Sequence, residues 1–417
     1  MTARSLDETH DPARTSWVES ANGHPDFPVQ NLPFGMFSHS DKPPRAGVAI
    51  GEMILDLQME CDLVTLLAVA PEQRRGFRRQ LSAKLSDPDL REKLSPHLHP
   101  LAECTLHLPF AIGDYTDFYA GIHHARNVGA LFRPDNPLLP NYKYVPIGYH
   151  GRASSVQPSG IPVSRPSGQH LDGGGDTPIF GPAQQLDYEL ELGIWIGTGN
   201  APGSPIAIGE ATDHIAGFCL LNDWSARDIQ AWEYQPLGPF LAKSFHTTVS
   251  PWVVTPEALA PFRLPQAPRE AGDPDLLAYL LEEQDQLEGA LAIELAVAIQ
   301  SSKMAAAGHD PHVIAHSSSR HLYWTVAQLL THQASNGCNL RPGDLLGTGT
   351  ISGPAREQCG SLLETTQSGR EPITLPTGET RGFLDDGDAI ILSATARADG
   401  FVPIGFGPCR AQVKASV

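Results

Sequence analysis

The segment LDYELELGIWIG, Leu186 to Gly197, constrains the fold of this chain most strongly. As a strand, it places six apolar side chains on one face, because every even position from 186 to 196 is apolar. The opposite face begins with three carboxylates, Asp187, Glu189 and Glu191. That face then continues with Trp195 between two glycines. Apolar side chains on both faces are typical of a strand that is covered on both sides, so the sequence predicts a central strand in a layered β structure.

The three carboxylates of this strand repel one another, and burial would require a cation beside them. Few lysines and arginines lie nearby in the sequence, which favours a divalent metal. Hard oxygen ligands suit Mg²⁺, Ca²⁺ or Mn²⁺ better than Zn²⁺. The alternative is an acidic face that is simply exposed to water.

The composition narrows the class of protein. The chain has 417 residues, with 39 glycines and 37 prolines, which indicates turn-dense β structure. Its formal net charge of −18 disfavours nucleic acid and anionic membranes as partners. It has no run of about 20 apolar residues, and its six cysteines are scattered without metal-type spacing. We therefore expect a soluble cytoplasmic protein with reduced thiols.

The pattern of elements predicts a mostly β (α+β) fold. Residues 1–23 are expected to form a loose, flexible tail, and 62–98 have helical spacing. The basic run RRGFRRQ within 62–98 is interpreted as a solvated helix face. From about 144 the pattern is strand, turn, strand, with two helices; in the first, Ser225 is expected to be the N-cap. The acidic stretch 265–288 is expected to be a surface insertion away from any site.

Two further segments carry side chains that could perform chemistry. After an apolar strand ends at Asp223, the predicted helix places Arg227, Gln230 and Tyr234 on one face. Lys243 follows in an apolar run, where an ammonium needs an anion. Surface positions and a plain salt bridge are the alternatives for these residues.

The other segment is GDYTDFYAGIHHARNVGALFRP, Gly113 to Pro134. A helix from about residue 118 would place Asp117 near its start and His124 two turns later. Such a histidine is either a hydrogen-bonded core residue or a general base. Arg133 could hold a carboxylate bidentately. The glycine-rich stretches GTGNAPG and GTGTISG are interpreted as turns, because neither has the spacing of a nucleotide-binding loop.

Several motifs together resemble the fumarylacetoacetate hydrolase family: DYTDFY, GYHGRASS, LDYELE, NDWSARDIQAWEYQPLGPF, KSF followed by TT, and RPGDLLGTGTISG. The resemblance runs nearly from end to end. It implies a small N-terminal barrel-like domain over 24–114 and a large C-terminal mixed β-sandwich roll over 115–417. It also implies a homodimer.

The resemblance assigns roles to individual side chains. The metal would be held by Asp117, Glu189, Glu191 and Asp223, with a second cation position near Asp223, Lys243 and Thr247. The catalytic set would be His124 as base, Glu364 as its orienting carboxylate, and Arg227, Gln230 and Lys243 as oxyanion donors. The substrate contacts would be Tyr119, Arg133, Tyr149, Gln230, Tyr234 and Thr350. Asp187, His123 and His246 receive no role.

The implied reaction is hydrolysis of the carbon–carbon bond of 4-fumarylacetoacetate, a diketo acid, to fumarate and acetoacetate, the last step of tyrosine and phenylalanine catabolism. One alternative is an acylpyruvate hydrolase or oxo-acid decarboxylase of the same superfamily, which would not need Tyr149, Tyr234 and Arg133. Another is a metal-stabilised β protein that only binds an organic acid. The presence of His124 and Glu364 disfavours that binder, since binding alone requires no base.

Overall fold

The structure is a computed structural model that describes residues 5–40, 42–59, 62–171 and 175–416. The strands of its N-terminal part are β1 (Phe34–His39), β2 (Arg45–Ile50), β3 (Met53–Asp56), β4 (Leu98–Pro100) and β5 (Cys104–His107). They form an antiparallel sheet with the order β4-β3-β2-β1-β5. The helices that separate β3 from β4 are α1 (Val64–Leu67), α2 (Pro71–Ser86) and α3 (Arg91–Leu94). The helical spacing predicted over 62–98 is therefore confirmed.

The rest of the described chain is mostly β. Its strands are β6 (Tyr115–Phe118), β7 (Gly148–Gly151), β8 (Val156–Pro158), β9 (Val163–Ser164), β10 (Ser167–Leu171), β11 (Pro178–Pro182), β12 (Leu186–Asp187), β13 (Leu190–Ile196), β14 (Ile215–Asp223), β15 (Ser225–Ala226), β16 (Thr247–Val249), β17 (Arg263–Leu264), β18 (Ala290–Leu291), β19 (Ile293–Gln300), β20 (His312–Ser318), β21 (Leu345–Gly347), β22 (Ile373–Thr374), β23 (Thr380–Arg381), β24 (Ala389–Ala396), β25 (Ile404–Gly405) and β26 (Cys409–Lys414). Its helices are α4 (Ile122–Phe132), α5 (Arg227–Glu233), α6 (Leu241–Ser244), α7 (Glu283–Glu288), α8 (Ser302–Ala306), α9 (Val326–Ala334) and α10 (Leu362–Thr365).

Two large mixed sheets form the body of this part. One has the order β7-β6-β21-β13-β14-β16-β8, and the other has the order β20-β19-β24-β26-β9, with β25 added beside β24. Strand β13 lies at the centre of the first sheet and pairs antiparallel with β14 and β21. This arrangement confirms the predicted α+β class, in which strands predominate and helices are few.

Strand β13 is covered on both faces, as its sequence predicts. Its even side chains, such as Ile194, join a core with Val297 and Leu392 of the second large sheet. On its other face Trp195 packs in a core with Val48 of the N-terminal sheet. The N-terminal sheet and the six-stranded sheet therefore enclose the strand that carries Glu191.

The acidic segment is not one continuous strand, however. It breaks after β12 because the Glu189 amide donates to the Asn222 side chain (3.1 Å) rather than to a neighbouring strand. The break lies beside the two glutamates and gives them different surroundings.

The N-terminal segment differs from the expected tail. Residues 1–4 lie outside the described residues, but 5–23 are packed, with Thr9, His10 and Val18 buried. The basic run beside it is also not a solvated face, because Arg74 and Arg78 are buried. For residues 5–23 and for the basic run, the expectations were wrong because the partners come from distant segments that local polarity does not reveal.

One local prediction also needs correction. Ser225 does not cap α5; its hydroxyl donates to the Asp223 carbonyl (3.1 Å), and the helix begins at Arg227. The stretch 265–288 contacts α4, where Glu270 accepts a hydrogen bond from Arg126 (2.9 Å). In agreement with the expectation, the cavity described below takes none of its lining residues from that stretch.

Within the described ranges, no helix has both the length and the apolar character needed to cross a membrane. Cys61 lies outside the described residues. The other five cysteines are free thiols.

Candidate active site

A cavity of about 430 Å³ opens between α4, α5 and the edge of the seven-stranded sheet. Eleven of the side chains predicted from the sequence line it: Asp117, Tyr119, His124, Arg133, Tyr149, Glu189, Arg227, Gln230, Tyr234, Lys243 and Thr350. The remaining four, Glu191, Asp223, Thr247 and Glu364, lie behind this lining and contact its members or the carboxylate cluster. The structure therefore brings the whole predicted set to one place.

Four buried carboxylates form a cluster, two at the floor of the cavity and two directly behind it: Asp117, Glu189, Glu191 and Asp223. One oxygen from each lies within 4.8 Å of the others. The sheet explains the convergence, because β21 pairs with both β6 and β13, and β14 is the other neighbour of β13. Asp117 belongs to β6 and not to the helix that carries His124, which corrects the expected local geometry.

The cluster suits a hard divalent cation. Asp117 Oδ1 and Glu191 Oε1 are buried without a hydrogen-bond partner among the described residues. Burial, reinforced by neighbouring carboxylates, raises the pKa of both side chains well above the ordinary range. Gly347 keeps the space clear, since a Cβ there would lie 2.6 Å from Asp117 Oδ1. Unpartnered buried carboxylate oxygens of this kind match the ligands of Mg²⁺, Ca²⁺ or Mn²⁺.

Two basic side chains neutralise part of this negative charge. Lys243 Nζ donates to Glu189 Oε2 (2.5 Å) and to Asp223 Oδ2 (2.7 Å), and Arg227 Nη1 donates to Glu189 Oε1 (2.7 Å). Burial alone would lower the pKa of Lys243, but Asp223 and Glu189 hold it above its ordinary value. Burial alone would raise the pKa of Glu189, yet the charges of Lys243 and Arg227 lower it strongly. Glu189 is therefore ionised between two fixed cations.

Asp223 is held by further side chains. The hydroxyl of Tyr149 donates to Asp223 Oδ2 (3.0 Å), and Thr247 Oγ1 donates to Asp223 Oδ1 (3.2 Å). Lys243 therefore shares one oxygen of Asp223 with Tyr149. These contacts fix the carboxylate at the end of β14.

His124 is paired with Glu364, which lies 240 residues later in the sequence. The Nδ1 atom of His124 lies 2.7 Å from Glu364 Oε2, and its Nε2 atom is 3.9 Å from Glu189 Oε1. Because the Glu364 carboxylate is an acceptor, it favours the tautomer with the proton on Nδ1 and the lone pair on Nε2. Burial alone would raise the pKa of Glu364, but His124 and several hydrogen bonds lower it.

Three residues that the sequence did not indicate hold Glu364. Ser352 Oγ (2.9 Å) and Ser361 Oγ (2.8 Å) donate to Oε2, and Asn127 Nδ2 donates to Oε1 (2.9 Å). Asn127 lies one turn after His124 on α4, so its spacing was the one available signal. The serines come from a different part of the chain and gave none.

The remaining predicted contacts lie on the cavity wall. Gln230 accepts from Arg227 Nη1 (3.1 Å), while Tyr234 follows at the end of α5. Thr350 Oγ1 and Arg133 Nε are buried and have no hydrogen-bond partner in the part of the chain that the structure describes. The ring of Tyr119 meets the imidazole of His124 edge to face, with 5.4 Å between centroids.

The stretch GTGTISG is part of the site and more than a turn. The Gly349 amide donates to Glu191 Oε2 (3.0 Å). Gly349 has φ +76, a conformation that glycine adopts without strain, and a Cβ there would lie 2.2 Å from the Phe118 carbonyl. The interpretation as a simple turn was therefore incomplete, because the backbone here contacts the Glu191 carboxylate and the strand that carries Asp117.

The three residues without a predicted role lie in different places. Asp187 is buried and contacts Arg227, as described below, and is not part of the carboxylate cluster. The ring of His123 meets His321, with 5.5 Å between centroids. Burial lowers the pKa of His246 to about 4.

The family profile "Fumarylacetoacetate (FAA) hydrolase C-terminal" matches residues 115–414, and "Fumarylacetoacetase N-terminal" matches residues 30–65. The chain belongs to the fumarylacetoacetate hydrolase family. It is 46% identical over 416 residues to the fumarylacetoacetase of Rattus norvegicus, covering 93% of this chain and 96% of that relative. It is also 46% identical to the Homo sapiens fumarylacetoacetase over 415 residues, with the same coverage.

Among solved structures, the fold is similar to that of a fumarylacetoacetate hydrolase from psychrophilic Exiguobacterium antarcticum. The TM-score is 0.51 at 21% sequence identity, covering 92% of this chain and 99% of that one. This likeness supports the fold.

Proposed function

We propose that the protein is a hydrolase of ketonic carbon–carbon bonds that cleaves 4-fumarylacetoacetate to fumarate and acetoacetate, the last step of tyrosine and phenylalanine catabolism. One observation carries the proposal: His124, paired with Glu364, faces a cavity whose floor includes Asp117 and Glu189 of the four-carboxylate cluster. The fumarylacetoacetases named above align with this chain over nearly their whole length, and this similarity supports the choice of substrate.

Asp117, Glu189, Glu191 and Asp223 would hold the divalent metal, which we expect to be Mg²⁺ or Ca²⁺, with Mn²⁺ as a further candidate. When bound, such a cation supplies Lewis-acid stabilisation of negative charge on oxygen. Lys243 and Thr247, both beside Asp223, mark the second cation position that the family resemblance implies.

His124 would act as the general base. Its Nδ1–H is held by Glu364, so Nε2 can accept a proton from a water molecule in the cavity. The water oxygen bonds to the ketone carbon next to the fumaryl group, and the carbonyl electron pair moves to its oxygen. Water is a weak nucleophile at neutral pH, which is why the base is needed.

The negative oxygen formed in this step would be met by donors from Arg227, Gln230 and Lys243. One such donor lowers a barrier by about 3 kcal/mol. The carbon–carbon bond then breaks, its electron pair leaves with the acetoacetate fragment, and the proton on His124 returns to that carbon. The other fragment forms as a carboxylic acid, releases the remaining proton of the water to solvent and leaves as fumarate.

Arg133, Tyr149, Tyr234 and Thr350 would orient the substrate, with Tyr119 beside the base. The unpartnered Arg133 Nε and Thr350 Oγ1 support this role, because both could donate to a substrate oxygen. Arg133, Tyr149 and Tyr234 all line the cavity. This favours 4-fumarylacetoacetate as the substrate over the acylpyruvates and oxo acids of the alternative function, which would not need these three side chains.

The direct test mixes the purified, metal-loaded enzyme with 4-fumarylacetoacetate, an acylpyruvate and an oxo acid in parallel. We expect the absorbance of the conjugated diketone to disappear with fumarate and acetoacetate as products. Turnover of the acylpyruvate alone, or release of carbon dioxide, would replace the proposal with the corresponding alternative. Binding without turnover of any substrate would contradict an enzymatic role.

The proposal includes a homodimer in the cytoplasm. Phe180, Leu237 and Phe240 are large apolar side chains exposed to solvent in one chain, which supports association. The five free cysteines support a reducing compartment. Light scattering coupled to size exclusion would measure the mass of the assembly.

A further inference from the structure

Asp187 is fully buried, and its carboxylate is surrounded by N–H groups. Its Oδ1 accepts from the amides of Tyr188 (2.9 Å) and Leu362 (2.8 Å). Its Oδ2 accepts from the amide of Leu363 (3.0 Å) and from Arg227 Nε (2.9 Å). A carboxylate offers about four acceptor directions, so Asp187 has none left for a metal.

Two of these N–H groups belong to α10, the short helix that carries Glu364. That helix spans four residues, too few for its own hydrogen bonds to stabilise it. Asp187 binds the amides of Leu362 and Leu363, and Ser361 Oγ accepts from the Glu364 amide (3.4 Å). The position of Glu364 therefore depends on Asp187.

The same carboxylate fixes the orientation of Arg227. The guanidinium is held at Nε by Asp187 and at Nη1 by Glu189 and Gln230. Because the guanidinium is planar, anchors at two different nitrogens fix its rotation.

We propose that Asp187 is a positioning residue that holds Arg227 and Glu364 in one fixed geometry by binding the guanidinium and the first turn of α10 with one carboxylate. This inference rests on the proposed function, in which Arg227 meets the developing oxyanion and Glu364 orients the base. Glu189 Oε1 completes the arrangement, since it lies 2.7 Å from Arg227 Nη1 and 3.9 Å from His124 Nε2.

The test is Asp187→Asn, which keeps the size of the side chain. All four partners of Asp187 are donors, so the amide NH₂ must face at least one of them. We expect kcat of the metal-loaded enzyme to fall roughly 100-fold, as for a small misplacement of reacting groups, with KM and metal content nearly unchanged.

The matched control is Asp388→Asn. Asp388 is also buried, accepts from Arg381 Nε (2.7 Å) and from the Asp385 amide (2.9 Å), and lies outside the cavity lining. This variant loses the same kind of ion pair, so any general effect on stability is matched. Its kcat is expected to equal that of the wild type.

A second readout does not depend on turnover. In protein labelled with ¹⁵N-histidine, the Nδ1–H proton of His124 is assigned by its loss in His124→Asn. We expect Asp187→Asn to accelerate its exchange with solvent and Asp388→Asn to leave it unchanged. A wild type that cleaves no diketone would refute the proposed function but would leave this measurement intact.

Wild-type kcat and wild-type Nδ1–H exchange in Asp187→Asn would together overturn the inference. If that variant does not fold, amide hydrogen exchange in the wild-type protein tests the role of Asp187 instead. Strong protection of the Leu362 and Leu363 amides supports the role of Asp187, and exchange at the rate of free amides overturns it.

Discussion

The ammonium of Lys243 lies 2.7 Å from Asp223 Oδ2, and it supplies a permanent positive charge to the four-carboxylate cluster. A second contact joins it to Glu189. A buried cation among carboxylates stabilises the cluster in the absence of metal, and the proposed function also makes it a donor to the substrate oxygen. The structural and chemical contributions of Lys243 can be separated by experiment.

Replacing Lys243 with methionine should destabilise the metal-free protein more than the metal-loaded protein. Without the ammonium, Glu189 and Asp223 are left as buried charges, which costs about 3 kcal/mol in the free energy of unfolding. Urea unfolding in EDTA and in excess Mg²⁺ or Ca²⁺ measures both values. Lys303→Met is the control, because Lys303 Nζ donates only to the Thr377 carbonyl (3.0 Å) on the surface. An unchanged midpoint for Lys243→Met in EDTA would contradict the prediction.

Metal should stabilise the protein more as the pH rises. The pKa values of Asp117 and Glu191 are raised by burial above the ordinary 3.8 and 4.5, so the metal-free folded state binds protons more tightly than the unfolded chain. Their contribution to stability is full below those ordinary values and is lost as pH rises through the folded pKa. Glu189 has a lowered pKa, so its contribution to stability is full above its ordinary pKa of 4.5 and is lost only as the pH falls below that value. It therefore does not change the trend above pH 4.5.

The measurement is the unfolding midpoint with metal minus the midpoint in EDTA, taken between about pH 5.5 and about pH 8, where metal must displace the protons. We expect the difference to increase with pH. A difference that is constant or decreases would show that the cluster binds metal without losing protons.

His124→Gln should abolish most turnover while leaving substrate affinity nearly intact. Loss of a general base reduces the rate by roughly 100-fold to 10,000-fold. The chain offers a matched control in His123→Gln, since that neighbouring histidine contacts His321 rather than the cavity. Steady-state kinetics with unchanged metal content separate the two. A rate loss in His123→Gln equal to that in His124→Gln would refute the assignment of the base.

The central strand could be predicted because its information is local. Alternation over 186–196 indicated that β13 is covered on both faces, and both faces are buried. The break before β13 could not be predicted, because it depends on the side chain of Asn222, 33 residues away. The motifs of the family resemblance placed Asp117 and Asp223 beside the glutamates, which the spacing alone did not do.

The residues that hold Glu364 show most clearly what could not be predicted from the sequence. Asn127 binds a carboxylate 237 residues away in sequence, and Ser352 and Ser361 bind the same carboxylate. Asparagine and serine are common on surfaces, so apart from the spacing of Asn127 after His124 nothing in the sequence distinguishes them. The burial of the basic run could not be predicted for the same reason. A local sequence shows that its residues are polar, but the partners that make their burial possible come from distant segments.

Arg78→Met should destabilise the protein without changing kcat, because the arginine ties the N-terminal segment to the body. Its guanidinium donates to Thr9 Oγ1 (3.1 Å) and to the carbonyls of Gln30 and Asn31. Burial lowers the pKa of Arg78 to about 10, which leaves it charged at neutral pH. Removing the guanidinium leaves the buried carbonyls of Gln30 and Asn31 without this donor. We therefore expect a loss of about 3 kcal/mol in the free energy of unfolding.

Arg79→Met is the control for this effect. The next arginine along α2 forms an exposed pair with Glu8 (2.5 Å), and such pairs contribute little to stability. We expect its urea midpoint to match that of the wild type, while Arg78→Met unfolds earlier and is cleaved faster by protease within residues 5–23. Equal midpoints for the two variants would mean that this N-terminal segment is bound to the body of the protein by something other than Arg78.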